Sequence, residues 1–209
     1  MRKADFINKR IILLLAVVFP ILAASEQGRV SQAIAKEAGG MKKIAMIIAE
    51  NNFRDEELFQ PKGIFEKNGM QVKIACASMR QANGALGGTI KPDMLVADIN
   101  PDDFDAIIFV GGGGASQYWD DAVSNKLAQD ALKGNKVIAA ICIAPVTLAR
   151  AGILKGRRAT VWSSEAGQLK AGGATYTASG VERDGNVITA SGPDYARKFG
   201  QEIVKALAQ

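Results

Sequence analysis

The chain has 209 residues, a formal net charge of +5, 48% hydrophobic and 22% charged residues, and 22 glycines. A chain of that size and composition buries roughly 70% of its unfolded surface in an ordinary core, which excludes a disordered, collagenous or multi-span membrane protein. It contains no histidine and only two cysteines, Cys76 and Cys142, so Ser-His-Asp and Cys-His catalysis, histidine-ligated metals and a four-cysteine zinc site are excluded as well.

Residues 1–10 are basic, and residues 11–24 (IILLLAVVFPILAA) form an apolar run. The run is short for a membrane span of about 20 residues, and it closes on small residues, Ala23-Ala24-Ser25. The pattern predicts a signal peptide over residues 1–25, a short linker over 26–40, and export to the periplasm. Translation from Met41 would instead leave the same domain in the cytoplasm, and only an uncleaved segment would give a membrane anchor. The basic surplus concentrates here. Residues 41–209 hold twenty basic against eighteen acidic residues, with no basic run interleaved with aromatics, so a nucleic-acid partner is not expected.

From Lys43 onward apolar runs alternate with helical patterns, the signature of a parallel sheet covered on both faces. Residues 44–49 read as the first strand. Asp55 stands where an N-cap would, ahead of a helix whose apolar face includes Leu58, Ile64 and Phe65. Pro61 should kink that helix, and Asn68-Gly69 should end it. Residues 72–77 read as the second strand, 84–100 as irregular with a short hairpin, and 106–110 as a buried strand ending on Gly111, Gly112, Gly113 and Gly114. A helix over 121–133 leads to a strand over 137–141, then Cys142, then helical residues 143–150. Short strands are expected at 160–162, 174–177, 181–183 and 187–190. The last helix follows Gly192-Pro193, with Phe199, Ile203, Val204 and Leu207 buried. One α/β domain over residues 41–209 results.

Open parallel sheets bind ligands at the carboxyl ends of their strands. Those ends carry residues 50–54, the glycine run, Cys142, Trp162 and Ser191-Gly192, so Gly112, Gly114, Trp162 and Gly192 are expected to line a pocket. Cys142, at a strand-to-helix turn, is the candidate nucleophile, and the helix N-terminus should lower its pKa. The glycine run departs from a dinucleotide fingerprint, because Ser116 stands where Gly or Ala is needed. It fits half of an oxyanion hole, with the Gly113 and Ile143 N–H groups converging beside the sulfur. Asp55, Glu56 and Glu57 all begin the first helix, and spacing does not choose which faces Cys142. Cys76, at the end of the second strand, is expected to be structural.

Four segments together, AICIAPVTLARAGILKGRRATVW, NNFRDEELFQPKGIFEKNGMQV, FVGGGGASQYW and ITASGP, resemble the ThiJ/PfpI superfamily, which includes the Parkinson-disease-linked deglycase and the PfpI-type proteases. The resemblance spans nearly all of residues 41–209. It implies a flavodoxin-like three-layer sandwich with a mostly parallel central sheet, a nucleophile elbow at Cys142, Glu57 as the protonated partner of the thiolate, and amides of Gly113 and Ile143 at the oxyanion position. Relatives are usually homodimers or larger. Histidine is missing both after the cysteine, where Ile143 stands, and near Trp162-Ser163. Peptide hydrolysis thereby loses its general acid, worth roughly 10²–10⁴ in rate. The expectation is a cofactor-free, metal-free thiol enzyme acting on small reactive carbonyls through a hemithioacetal. The alternatives are a non-catalytic oxidation sensor or chaperone, a flavin or nucleotide binder and, less favoured, a peptidase.

Overall fold

Short apolar β-branched runs with no polar alternation must be covered on both faces, and this requirement organises the fold. The structure is a computed structural model and describes residues 40–209; the signal-peptide and linker expectations lie outside the described residues. Met41–Gln209 forms one compact unit. Five strands run parallel at its centre: β1 (Lys43–Ile47), β3 (Gln71–Cys76), β7 (Ala106–Phe109), β8 (Val137–Ile141) and β12 (Val187–Ala190). The short β6 (Met94–Leu95) pairs parallel at one edge, and β11 (Val181–Asp184) pairs antiparallel at the other. The full order is β11-β12-β8-β7-β1-β3-β6.

Alternate residues of each strand enter opposite cores, as the pleat requires. Ala45, Ile47, Ile107, Phe109, Ile138 and Ala140 pack with Leu127, Ala128 and Ala131 of α2 (Ala122–Lys133) and with Val146 and Leu148 of α3 (Pro145–Arg150). Ile44, Met46, Ile108, Ala139, Ile141 and Ile188 face Leu58 and Phe65 of α1 (Asp55–Lys67) and Phe199 and Ile203 of α5 (Ala196–Leu207). Helices on both faces of the sheet make the three-layer, flavodoxin-like sandwich. The helix α1 continues through Pro61, whose buried ring lies against Gly200 of α5.

Two local expectations are corrected. Arg54, not Asp55, is the N-cap of α1. The Asp55 carboxylate instead accepts N–H bonds from Leu86 (2.8 Å) and Gly88 (2.6 Å), fixing the turn between β4 (Ala82–Gly84) and β5 (Thr89–Ile90), an antiparallel pair that β2 (Asn51–Phe53) extends in parallel; the short helix α4 spans Ala166–Ala171. Residues 160–162 are not a strand; only Arg158–Ala159 (β9) is, paired with Thr175–Tyr176 (β10). Side chains and a turn satisfy the following backbone: the Thr160 N–H donates to Thr189 Oγ1 (2.9 Å), and the Trp162 N–H donates to the Cys142 carbonyl (2.8 Å). With both Asp55 oxygens engaged and its side chain almost fully covered, Asp55→Ala is expected to cost about 2–3 kcal/mol. Urea unfolding should show a lower midpoint at unchanged slope.

The chain leaves β1 for β3 on one side and returns to β7 on the other, so the sheet's order reverses at β1. The crevice outside the carboxyl ends of β1, β7 and β8 is where a ligand belongs in such a sheet.

Candidate active site

Cys142 follows β8 directly and has φ of +63°, a left-handed conformation costing a non-glycine residue about 1 kcal/mol. Two backbone bonds hold it there. Its N–H donates to the Ala190 carbonyl (2.9 Å) and its carbonyl accepts from Trp162. The turn sends the half-buried side chain into a cleft of about 290 Å³, lined by Arg54, Ala85, Gly112, Gly113, Cys142, Ile143, Trp162 and Pro193.

The three acids at the start of α1 divide their work. Asp55 anchors the β4–β5 turn. Glu56 pairs with the Arg54 guanidinium at 2.9 and 3.2 Å. Glu57, in the first turn of α1, is fully buried and turned toward Cys142. Neither Glu57 oxygen has a hydrogen-bond partner of full geometry, and an unrelieved charge there would be expensive. Burial therefore pushes its carboxyl up to about 8, only partly offset by the Cys142 side chain, the Arg54 charge and the Gly111 N–H. At neutral pH the group mostly holds its proton.

The sulfur behaves differently from the helix-dipole expectation. Burial and the nearby Glu57 charge push the thiol upward, while the N–H groups of Gly112 and Ile143 act in the opposite direction. The helix α3 starts only at Pro145 and is six residues long, so its dipole is weak and displaced from the sulfur. Because the two groups interact, their protons belong to the pair.

Of the glycines, Gly111 is the one that brings the pair together. A Cβ at Gly111 would lie 2.5 Å from Cys142 Cβ, 2.6 Å from the Ile141 carbonyl oxygen, and against Glu57 Oε2. Gly112, at φ +97°, lets the Asn52–Arg54 backbone cross it. The amide turned to the sulfur is that of Gly112, while Gly113 forms the cleft wall beside it. Gly114 is not part of the cleft: a side chain there would meet Ala49 and the Asn51 carbonyl. Gly192 instead seats the Trp162 ring, 2.7 Å from where its Cβ would be. Gly111→Ala is expected to force Glu57 and Cys142 apart, costing about 1–3 kcal/mol. Urea unfolding and the rate of Cys142 alkylation would both change, and unchanged values for both would contradict the packing described.

Sequence reasoning did not single out Arg54, Ala85 and Pro193 as cleft walls, nor Trp119, whose Nε1–H donates to the Ile143 carbonyl (3.2 Å) and steadies the turn after the cysteine. Cys76 is fully buried on β3. It lies three strands from β8, about 14 Å at ordinary strand spacing, beyond disulfide reach of Cys142. No group of three or more His, Cys, Asp or Glu side chains gathers as a metal site among the described residues. The segment Gly113–Tyr118 is 3₁₀ rather than the α-helix a dinucleotide fingerprint opens.

A left-handed cysteine at a strand end, a buried acid against it and glycines on a central strand turn together characterise the fold and site, and sequence comparison decides the relationship. Residues 42–206 match the DJ-1/PfpI family. The chain belongs to the DJ-1/PfpI family. An uncharacterised protein of Methanocaldococcus jannaschii is 47% identical over 168 residues, 79% of this chain and 82% of that protein. The deglycase PfpI of Pyrococcus furiosus is 28% identical, covering 78% and 98%. The glutathione-independent glyoxalase DJR-1.2 of Caenorhabditis elegans is 29% identical, covering 79% and 89%. Among solved structures, the ThiJ/PfpI domain protein of Brachyspira murdochii superposes with a TM-score of 0.79 at 34% identity, covering 81% of this chain and 98% of that one. The DJ-1/PfpI relationship and the mostly parallel sheet agree.

Proposed function

We propose that this DJ-1/PfpI protein is a thiol enzyme for small α-oxoaldehydes, with Cys142 as nucleophile and Glu57 as its proton carrier. The observation that carries the reading is the fully buried Glu57, held near neutral pKa against the thiol in a cleft. A base of that strength is matched to proton transfer at physiological pH. The ionised fraction of Glu57 takes the thiol proton as sulfur bonds to the aldehyde carbon. The carbonyl electron pair moves to oxygen, which faces the Gly112 and Ile143 amides, and Glu57 returns the proton to that oxygen. With methylglyoxal, the hemithioacetal's C1 hydrogen then moves as a proton to C2 and its hydroxyl proton to the C2 oxygen, giving a lactoyl thioester. Water cleaves it to lactate and the free thiol, so one methylglyoxal and one water become one lactic acid. The absence of histidine is compatible with this sequence, because no amine leaves. Relatives named as a deglycase and a glyoxalase support the same chemistry. Full-chain protein is expected to convert methylglyoxal to lactate; purified folded protein without turnover would remove the proposal.

A second reading is favoured by the same contact. A protonated Glu57 beside the sulfur would donate to a sulfinate formed by two successive peroxide oxidations of Cys142, each yielding water. Mass spectrometry after mild peroxide, read beside the lactate assay, separates the two: selective dioxidation of Cys142 with no turnover favours a sensor.

A further inference from the structure

A second hollow of about 190 Å³ shares Trp162 with the Cys142 cleft and is lined in part by Trp162, Ser163, Tyr176, Ser191, Asp194 and Tyr195. Trp162 belongs to both hollows, and its backbone is bonded to the Cys142 carbonyl. The inner cleft is apolar except for Arg54, whereas the outer hollow carries hydroxyls and one carboxylate. Alone, the inner cleft is at the low end of ligand-pocket volumes, about 300–1,000 Å³, and the two together fall well inside that range.

Two aromatic rings stand exposed at this hollow, Trp162 at 45% and Tyr195 at 41%. Each is seated against a glycine whose side chain would collide with it, Gly192 under Trp162 and Gly180 under Tyr195. The rings are therefore backed by main chain and present fixed apolar faces beside polar groups. Asp194 is the one charged residue of the lining, which disfavours an anionic tail. The Lys170 ammonium lies 5.8 Å from the centroid of the Tyr176 ring, and it disfavours a cationic one. Neutral hydroxyls suit both: they donate to the carboxylate, exchange bonds with serine and tyrosine hydroxyls, and leave C–H faces to lie on the rings.

We propose that the hollow sharing Trp162 is a second compartment of the substrate site that holds the hydroxylated tail of an open-chain sugar-derived α-oxoaldehyde, with Trp162 as the partition between tail and reacting carbonyl. The inference rests on the reading of Cys142 as the carbonyl-attacking thiol and specifies its substrate class. Two measurements on the full chain test it. In the first, kcat/KM is compared for a six-carbon hydroxylated α-oxoaldehyde and for methylglyoxal, in the parent, Asp194→Ala and Ser163→Ala proteins. The parent is expected to prefer the hydroxylated substrate at least tenfold, with that ratio falling toward one in both variants. In the second, an unreactive six-carbon open-chain polyol is titrated by calorimetry or ligand-observed NMR into Cys142→Ala protein, and into the same protein also carrying Asp194→Ala. Binding to the first and its loss in the second is expected. A ratio near one in the parent, or no polyol binding, overturns the compartment. Polyol binding that depends on Asp194 with no turnover of either aldehyde supports the compartment and overturns the thiol chemistry instead.

Discussion

Cys142→Ala is expected to lower lactate formation from methylglyoxal by at least a thousandfold, with the fold and the melting temperature nearly preserved. The sulfur is the one nucleophile in the cleft, and no imidazole exists anywhere in the chain to activate a water in its place. Cys142→Ser is the sharper comparison. It keeps volume and polarity, but a hydroxyl is a far weaker nucleophile than a thiol near neutral pH and holds its proton too tightly for Glu57 to remove, so it should be as inactive as the alanine variant. Stability should change little in either, because the left-handed backbone at residue 142 is held by main-chain bonds that both variants keep. Substantial turnover by either variant would show that the aldehyde reacts elsewhere.

The second large effect separates activity from stability. Glu57→Gln is expected to reduce turnover at least a hundredfold and to make the protein more stable at pH 7 to 8. The carboxyl is raised from an ordinary 4.5 to about 8 in the folded protein, so the folded state binds more protons than the unfolded state between those values. Stability linked to this group is complete below about 4.5, declines as pH rises from there to about 8, and is flat above. At pH 7 the accumulated cost is about 3 kcal/mol. The neutral amide avoids it, so variant and parent should melt alike near pH 4.5 and diverge toward pH 8. Parent activity should follow the ionised fraction of Glu57, falling about tenfold per unit below about pH 8. The variant also removes the Glu57 charge, one of the causes that raise the thiol, so Cys142 should be alkylated at lower pH while carbonyl turnover is lost. A pH-independent stability difference would place Glu57 in a merely structural role.

Much of this was legible in the residues. The apolar runs of β1, β7 and β8 are buried on both faces, and their alternation with helical patterns points to a parallel sheet covered by helices. Cys142 is placed by the abrupt change from the strand VIAAI to helix within a few residues. The choice among Asp55, Glu56 and Glu57 was not legible from spacing. It depends on which acid faces Gly111 across the sheet end, and on a turn near residue 86 that returns to claim Asp55. The direction of the thiol's shift was misjudged for a related reason, since desolvation by the packed cleft outweighs a short helix that starts three residues later. The expected strand at 160–162 gave way because Thr189 and Cys142 satisfy its backbone. Ala85 and Pro193 reach the cleft through long-range folding that carries no local mark.

Carbon-13 NMR of labelled methylglyoxal bound to the full-chain protein tests the central claim most directly. The account predicts a saturable thiohemiacetal carbon signal in the parent, absent from Cys142→Ala, with lactate growing at its expense. Lactate appearing at equal rates in both proteins, with no such signal in the parent, would contradict it.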